Sequence, residues 1–169
     1  PLLHQTVSQT LAGRTALLRL LPFSMDELQR VPRQKTHADA LILQGGMPEV
    51  CTEHLEPSTY YRNYFQTYIE RDVRQLMEIR NLPAFERFMV LLAGRVGQLV
   101  NLSSLSTEIG VSHTTLSGWL GLLEASFVVF RLQPFFSNIS KRVVRSPKLY
   151  FTETGLAAYL LGLENENQV

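Results

Sequence analysis

Asn101–Ser126, NLSSLSTEIGVSHTTLSGWLGLLEAS, is the stretch whose reading decides the fold. Leu102, Leu105 and Ile109 recur at the period of one buried helical face, and Gly110-Val111 interrupts that period as a tight turn. Ser112 follows as a residue type that caps a helix N-terminus. Leu116, Trp119, Leu120 and Leu123 then fall at i, i+3, i+4 and i+7 and form the buried stripe of a second helix. Two helices joined in this way make a helix-turn-helix.

Working outward, FVVFRLQPFF (Phe127–Phe136) is rich in β-branched and aromatic residues and predicts a strand, and NISKRVVRSPKLYF (Asn138–Phe151) predicts a turn and a returning strand. Upstream, Pro83 opens a helix carrying Phe85, Phe88, Met89, Leu92 and Val96. Helix, helix-turn-helix and two-stranded ribbon over residues 83–151 together predict a winged helix. Thr152–Leu163 predicts one more apolar helix. On the other side, Ser58–Ile79 has the period of a long amphipathic helix, and Ala38–Gly46 predicts a helix stopped by two glycines and Pro48, with GGMPEV as a turn. Thr15–Phe23 predicts a buried strand limited by Pro22, Ser24 with Glu27 matches a capping box, and Leu3, Val7 and Leu11 predict a first helix. The expected fold class is mainly α with small β content: a helical lid-like region followed by a winged helix-turn-helix. The expected organisation is a first region 1–57, a connecting helix 58–82, the winged helix 83–151 and a last segment 152–169.

Composition sets the outer limits. A chain of 169 residues with 45% apolar and 18% charged residues can bury about 70% of the surface it exposes unfolded, enough for a sizeable core. Sixteen Lys and Arg against 15 Asp and Glu leave a net charge of +1, so any attraction to polyanions must be local. The single cysteine, Cys51, excludes an internal disulfide and fits a reducing, cytoplasmic setting. No apolar run approaches the roughly 18 residues of a membrane span, so no membrane partner is expected. The chain begins without Met and already in an apolar pattern, from which it is expected to be part of a longer protein.

No reaction centre stands out. There is no GxxxxGK[ST] loop and no Gly-Lys pair to cradle a nucleotide. Met25-Asp26-Glu27 reads as a helix start with favourable acidic residues. Cys51 and His54 lack the further ligands a zinc site needs, so no metal site is assigned. Glu70, Asp72 and Glu78 alternate with Arg71, Arg74 and Arg80 as a charged face, and Tyr60, Tyr61, Tyr64 and Tyr68 recur at core spacing. No catalytic residue is assigned either. The local exception lies between Ser126 and Tyr150, where Arg131, Lys141, Arg142, Arg145 and Lys148 occur with no acidic residue. With His113, Thr114 and Ser117 on the outward side of the second helix, these are the candidate nucleic-acid-binding residues. That helix has no Lys or Arg for a bidentate guanine contact. Two other readings of the basic ribbon stay open: an edge kept basic against strand pairing, and a surface packed on a neighbouring domain.

The order SQTLAGRTALLRLLPFS, GGMPEV, YFQTYIERDVRQL, then LPAFERF through SPKLYF, and ETGLAAYLLG resembles a family of bacterial and archaeal P-loop ATPases of the AAA type, in which the ATPase core is followed by a C-terminal domain of unknown function. The resemblance runs from Ser8 to Leu163. It implies a chain lying after the nucleotide-binding motifs, inactive alone, within a longer ATPase that uses ATP and magnesium. It makes Arg14 a nucleotide-proximal arginine that stabilises phosphate charge. Relatives in that family often carry a basic pair before the Trp of the second helix, where this chain has Ser117-Gly118. The function so implied is the non-catalytic C-terminal portion of such an ATPase, with a winged helix that engages a partner, DNA phosphates being one candidate. The alternative is a protein-interaction or dimerisation module without nucleic-acid binding, built on Phe127, Phe130, Phe135 and Phe136.

Overall fold

The computed structural model describes residues 18–32, 37–68, 81–135 and 146–169. Within them the chain is mainly helical with one small antiparallel sheet of two strands. The elements in order are α1 (Met25–Leu28), α2 (Ala38–Gln44), α3 (Pro48–Thr52), α4 (Pro57–Tyr68), α5 (Leu82–Ala93), α6 (Leu102–Ile109), α7 (His113–Ala125), β1 (Val129–Leu132), β2 (Lys148–Phe151), α8 (Thr154–Leu160) and a 3-10 turn (Glu166–Gln168).

Local chemistry explains most boundaries. The Asn81 side chain accepts from the Ala84 backbone N–H at the start of α5, Asn101 accepts from Ser103 and Ser104 at the start of α6, and Ser112 accepts from Thr115 at the start of α7. Gly110 ends α6 at a φ of 80°, a left-handed position that a side chain resists, although a Cβ there would meet open space. Ser24 and Glu27 form the reciprocal capping box read from the sequence.

One apolar cluster joins these elements. Tyr61 and Phe65 of α4, Phe88 of α5, Leu123 of α7, Leu149 of β2 and Leu156 of α8 all belong to it. Trp119 projects from α7 onto α5, edge-on to Phe85 with ring centroids 5.3 Å apart and tilted on Phe88 at 5.8 Å. Such aromatic pairs add about 0.5–1.5 kcal/mol beyond area burial, so α7 is locked in rotation against α5. Val129, Leu149 and Phe151 face inward from the ribbon and close this side of the core.

Several expected elements change. The buried strand over Thr15–Phe23 is not found in its described part: Leu18 and Leu20 are 88% and 94% exposed, in a segment that belongs to neither strand of the sheet. Phe23 instead donates its backbone N–H to the Gly46 carbonyl at 2.7 Å. GGMPEV is only half a turn, because Pro48 starts the short helix α3 rather than ending the chain's helical run. The ribbon strands shorten to four residues each and α8 to Thr154–Leu160. The long helix is described as far as Tyr68. The first predicted helix, the remainder of the long helix and the ribbon turn lie outside the described residues.

Two glycines separate backbone propensity from packing. Gly121 lies within α7 with nothing within 4 Å of a built Cβ, so Gly121→Ala is expected to stabilise the fold by about 0.5–1 kcal/mol. Gly155 lies in the first turn of α8, where an added Cβ would overlap the Tyr61 ring, so Gly155→Ala is expected to destabilise by about 1–3 kcal/mol despite its better helix propensity. Urea unfolding midpoints of the two variants, moving in opposite directions, check this.

Candidate functional site

The residues expected to contact nucleic acid do not form one basic surface. His113, Thr114 and Ser117 are exposed on α7, whose Leu116, Trp119 and Leu120 are buried. Arg131 pairs in register with Leu149, so its side chain falls on the inner face of the ribbon. There its guanidinium donates to both carboxylate oxygens of Glu124 on α7, at 2.6 and 2.7 Å. Lys148 pairs with Leu132 on the outer face and is exposed. The period of two along a strand thus sends the two described basic residues of the ribbon to opposite sides, one of them already neutralised. Arg14, Lys141, Arg142 and Arg145 lie outside the described residues.

The outer ribbon face is apolar around Lys148. Phe130 stacks on Tyr150 across the strands, with ring centroids 5.5 Å apart and planes 18° from parallel. Leu132 is 53% exposed beside them, and Leu99, which bridges to Lys148 at the ribbon edge, is 60% exposed. Gly97 and Gln98 hydrogen-bond to the backbone of Leu149, which covers the outer edge of β2. Phe127, between α7 and β1, stands at a φ of 59°, a left-handed conformation uncommon for a bulky residue. Its ring is partly exposed under the Arg19 guanidinium, 4.2 Å from the ring centroid.

A second arrangement was not anticipated by sequence reasoning. Glu153, the N-cap of α8, is 3% exposed, and its Oε1 accepts from the backbone N–H of Gly155 at 3.0 Å, the backbone N–H of Gly46 at 3.0 Å and the Tyr61 hydroxyl at 2.9 Å. Its Oε2 shares the Gly46 N–H at 3.1 Å. The Tyr61 hydroxyl also lies 3.0 Å from the Gln44 carbonyl. Glu153 makes no ion pair among the described residues. Burial pushes its carboxyl above the usual carboxylate range, opposed by the Gly155 and Gly46 N–H groups and the Tyr61 hydroxyl. Burial also raises the Tyr61 phenol, with the Glu153 charge adding to it. Burial raises the Cys51 thiol as well, and the thiol approaches the Gly45 carbonyl at 3.5 Å.

Tyr61, Gln44 and Gly155 also line a cleft of about 1080 Å³ between α2, the start of α4, α8 and the 3-10 turn. Its apolar wall includes Leu43, Val50 and Ala158, and the carboxylates of Glu56, Glu164 and Glu166 border it together with Arg62 and His54. Glu56 accepts from the Ser58 hydroxyl and the Ser58 and Thr59 N–H groups, bonds that hold its pKa down at about 2. Among the described residues no group of three or more His, Cys, Asp or Glu could hold a metal ion, and no helix is long and apolar enough to cross a membrane.

The signs for the buried acid are definite. A carboxyl whose folded pKa is raised contributes stability that is present below its ordinary value of 4.5 and lost as pH rises through the folded value. Gln at this position can offer one oxygen to all three donors without a charge. Glu153→Gln is therefore expected to remain folded and to remove that pH-dependent loss above pH 4.5. Glu153→Ala, which strands two buried N–H groups, is expected to cost about 2–5 kcal/mol. Urea midpoints measured against pH for the three proteins check both.

Comparison with known proteins bears on identity. The family described as a domain of unknown function, DUF8612, matches residues 35–167. An uncharacterised protein of Mycobacterium tuberculosis and one of Mycobacterium bovis are each 36% identical over 160 residues, covering 94% of this chain and 35% of the relative. An uncharacterised protein of Haemophilus influenzae is 24% identical over 180 residues, covering 98% of this chain and 45% of the relative. The chain thus spans less than half the length of these relatives, and no solved structure matches it.

These findings overturn the resemblance to the AAA-type ATPases, since neither the matching family nor any of these relatives carries an ATPase or DNA-binding assignment. The phrases that carried the resemblance are short segments whose residues follow packing periods, and no nucleotide-binding loop stands among them. The expectation of ATP and magnesium in a longer parent, and of a nucleotide role for Arg14, loses the resemblance it rested on. The chain belongs to the family of the domain of unknown function DUF8612.

Proposed function

We propose that this chain is a protein-interaction module that self-associates through the outer face of its β1–β2 ribbon. The finer fold reading goes with it: α5, the α6–α7 pair and the ribbon follow one another as the parts of a winged helix, with the ribbon as the wing. The observation that carries the proposal is the outer apolar face made by the exposed Phe130 and Leu132 and the half-buried Tyr150. Aromatic residues on a flat surface supply contact area with few rotamers to immobilise on binding.

Two further features support it. β1 hydrogen-bonds to β2 on one side, and its other side is a sheet edge among the described residues, the geometry that accepts an added strand. Antiparallel pairing of two β1 strands about Arg131 would set Phe130 of one copy against Leu132 of the other, a self-complementary match. Phe127 keeps an exposed ring in a backbone conformation that glycine would adopt without strain, which favours a use for the ring. The nucleic-acid reading is the weaker one because the Arg131 charge is already held by Glu124 and α7 exposes no Lys or Arg.

Sedimentation velocity across a wide concentration range tests the proposal. The expected result is a weight-average mass that rises with concentration for the wild-type chain and stays at the monomer value for Phe130→Ser/Leu132→Ser. Duplex DNA at low salt is expected to leave its own fluorescence anisotropy unchanged when the chain is added. A wild-type chain that is monomeric throughout, or DNA binding that weakens with salt, would overturn it.

A further inference from the structure

We propose that the cleft between α2, the start of α4, α8 and the 3-10 turn is a second binding site, for an extended peptide segment that carries basic residues between apolar ones. It is built from residues other than those of the ribbon face and does not depend on the ribbon's role.

The shape comes first. At about 1080 Å³ the cleft is somewhat larger than most small-molecule sites, and it is open to solvent. Its lining includes the exposed Leu55 and the partly exposed Leu43 and Leu163, so water over these side chains can be displaced at a gain of about 25 cal/mol for each Å² covered. Basic side chains suit such a wall because their methylene stems lie on apolar surface while the charged heads reach outward.

The charge supplies the sign of the occupant. Glu56, Glu164 and Glu166 border the cleft, against Arg62 as the opposing full charge and His54 beside it. The hydrogen bonds from Ser58 and Thr59 keep Glu56 ionised at any ordinary pH. A net negative concavity in a chain of net charge +1 focuses its field on the opening and favours a cationic ligand there. Neither an anionic ligand nor a purely apolar one would use these groups.

The occupant is an extended segment rather than a compact cation. The acidic lining comes from two parts of the chain, Glu56 just ahead of α4 and Glu164 and Glu166 after α8, and the apolar Leu43, Leu55 and Leu163 line the same cleft. A strand-like peptide places alternate side chains on opposite sides, so basic residues can reach the rim while apolar ones cover the wall.

The test uses a fluorescein-labelled hexapeptide of alternating leucine and arginine, and a counterpart with glutamine in place of arginine. Fluorescence anisotropy is expected to show saturable binding of the arginine peptide and none of the glutamine peptide. Glu164→Gln/Glu166→Gln is expected to weaken binding by about tenfold. Asp26→Asn/Glu86→Gln, which removes the same charge from exposed positions elsewhere, is expected to leave it unchanged. Amide chemical-shift changes on titration are expected at Leu43 and Ala158. Phe130→Ser/Leu132→Ser is expected to bind the arginine peptide as wild type does, which separates this site from the ribbon. Equal binding of both peptides, indifference to Glu164→Gln/Glu166→Gln, loss of binding in the ribbon variant, or no saturation would each overturn the proposal.

Discussion

One carboxylate oxygen of Glu153 collects hydrogen bonds from the Gly45-Gly46 turn, the α4 tyrosine Tyr61 and the first turn of α8, and the placement of all three follows from it. A carboxyl group taken out of water with no cation beside it is costly, by several kcal/mol for an unpaired ion. Here the cost is offset by two backbone N–H groups and a phenol that bond the carboxyl, while burial pushes its pKa up. The same closeness dictates the glycines. A Cβ at Gly45 would overlap the Glu153 carboxylate and the Tyr61 hydroxyl, one at Gly46 would crowd the Phe23 carbonyl, and one at Gly155 would strike the Tyr61 ring.

The helical half around α5–α7 is held by a different principle. There the core is aromatic: Trp119 against Phe85 and Phe88 sets the rotation of α7, and the inward residues of the ribbon fill the remaining side. Caps from Asn81, Asn101 and Ser112 start each helix with a local hydrogen bond. α8 joins the two halves, since it packs on α2, α4 and α5. The polar staple and the aromatic core therefore constrain the same helix from opposite sides.

Two surfaces result. The ribbon turns Phe130, Leu132 and Tyr150 outward because strand alternation has already used Val129, Leu149 and Phe151 for the core. The cleft gathers acidic groups because Glu56, ahead of α4, and Glu164 and Glu166, after α8, line the same concavity. One surface is apolar around the exposed Lys148, and the other is concave and negative. They call for partners of different chemistry, and a chain can use both at once.

Local grammar was legible in the sequence wherever one segment determines its own conformation. The α6–α7 pair, the stop at Gly110, the Ser112 cap and the Ser24–Glu27 box were readable because propensity, capping and hydrophobic period act within a few residues. The strand expected before Phe23 failed because a strand exists only through a partner, and its described residues belong to no sheet. The family was misjudged because packing-set phrases recur among unrelated chains. The basic ribbon looked like one patch in the sequence, yet strand register divides Arg131 from Lys148. Glu153 was invisible as a site because the Gly46 N–H it holds lies 107 residues away and Tyr61 lies 92 away. The sequence by itself determined helix starts, helix stops and the inward stripe of each helix, which are short-range properties of the chain. The tertiary structure alone decided which charges are neutralised, which acid is buried and where the cleft opens, because each of these depends on groups that only folding brings within hydrogen-bonding distance.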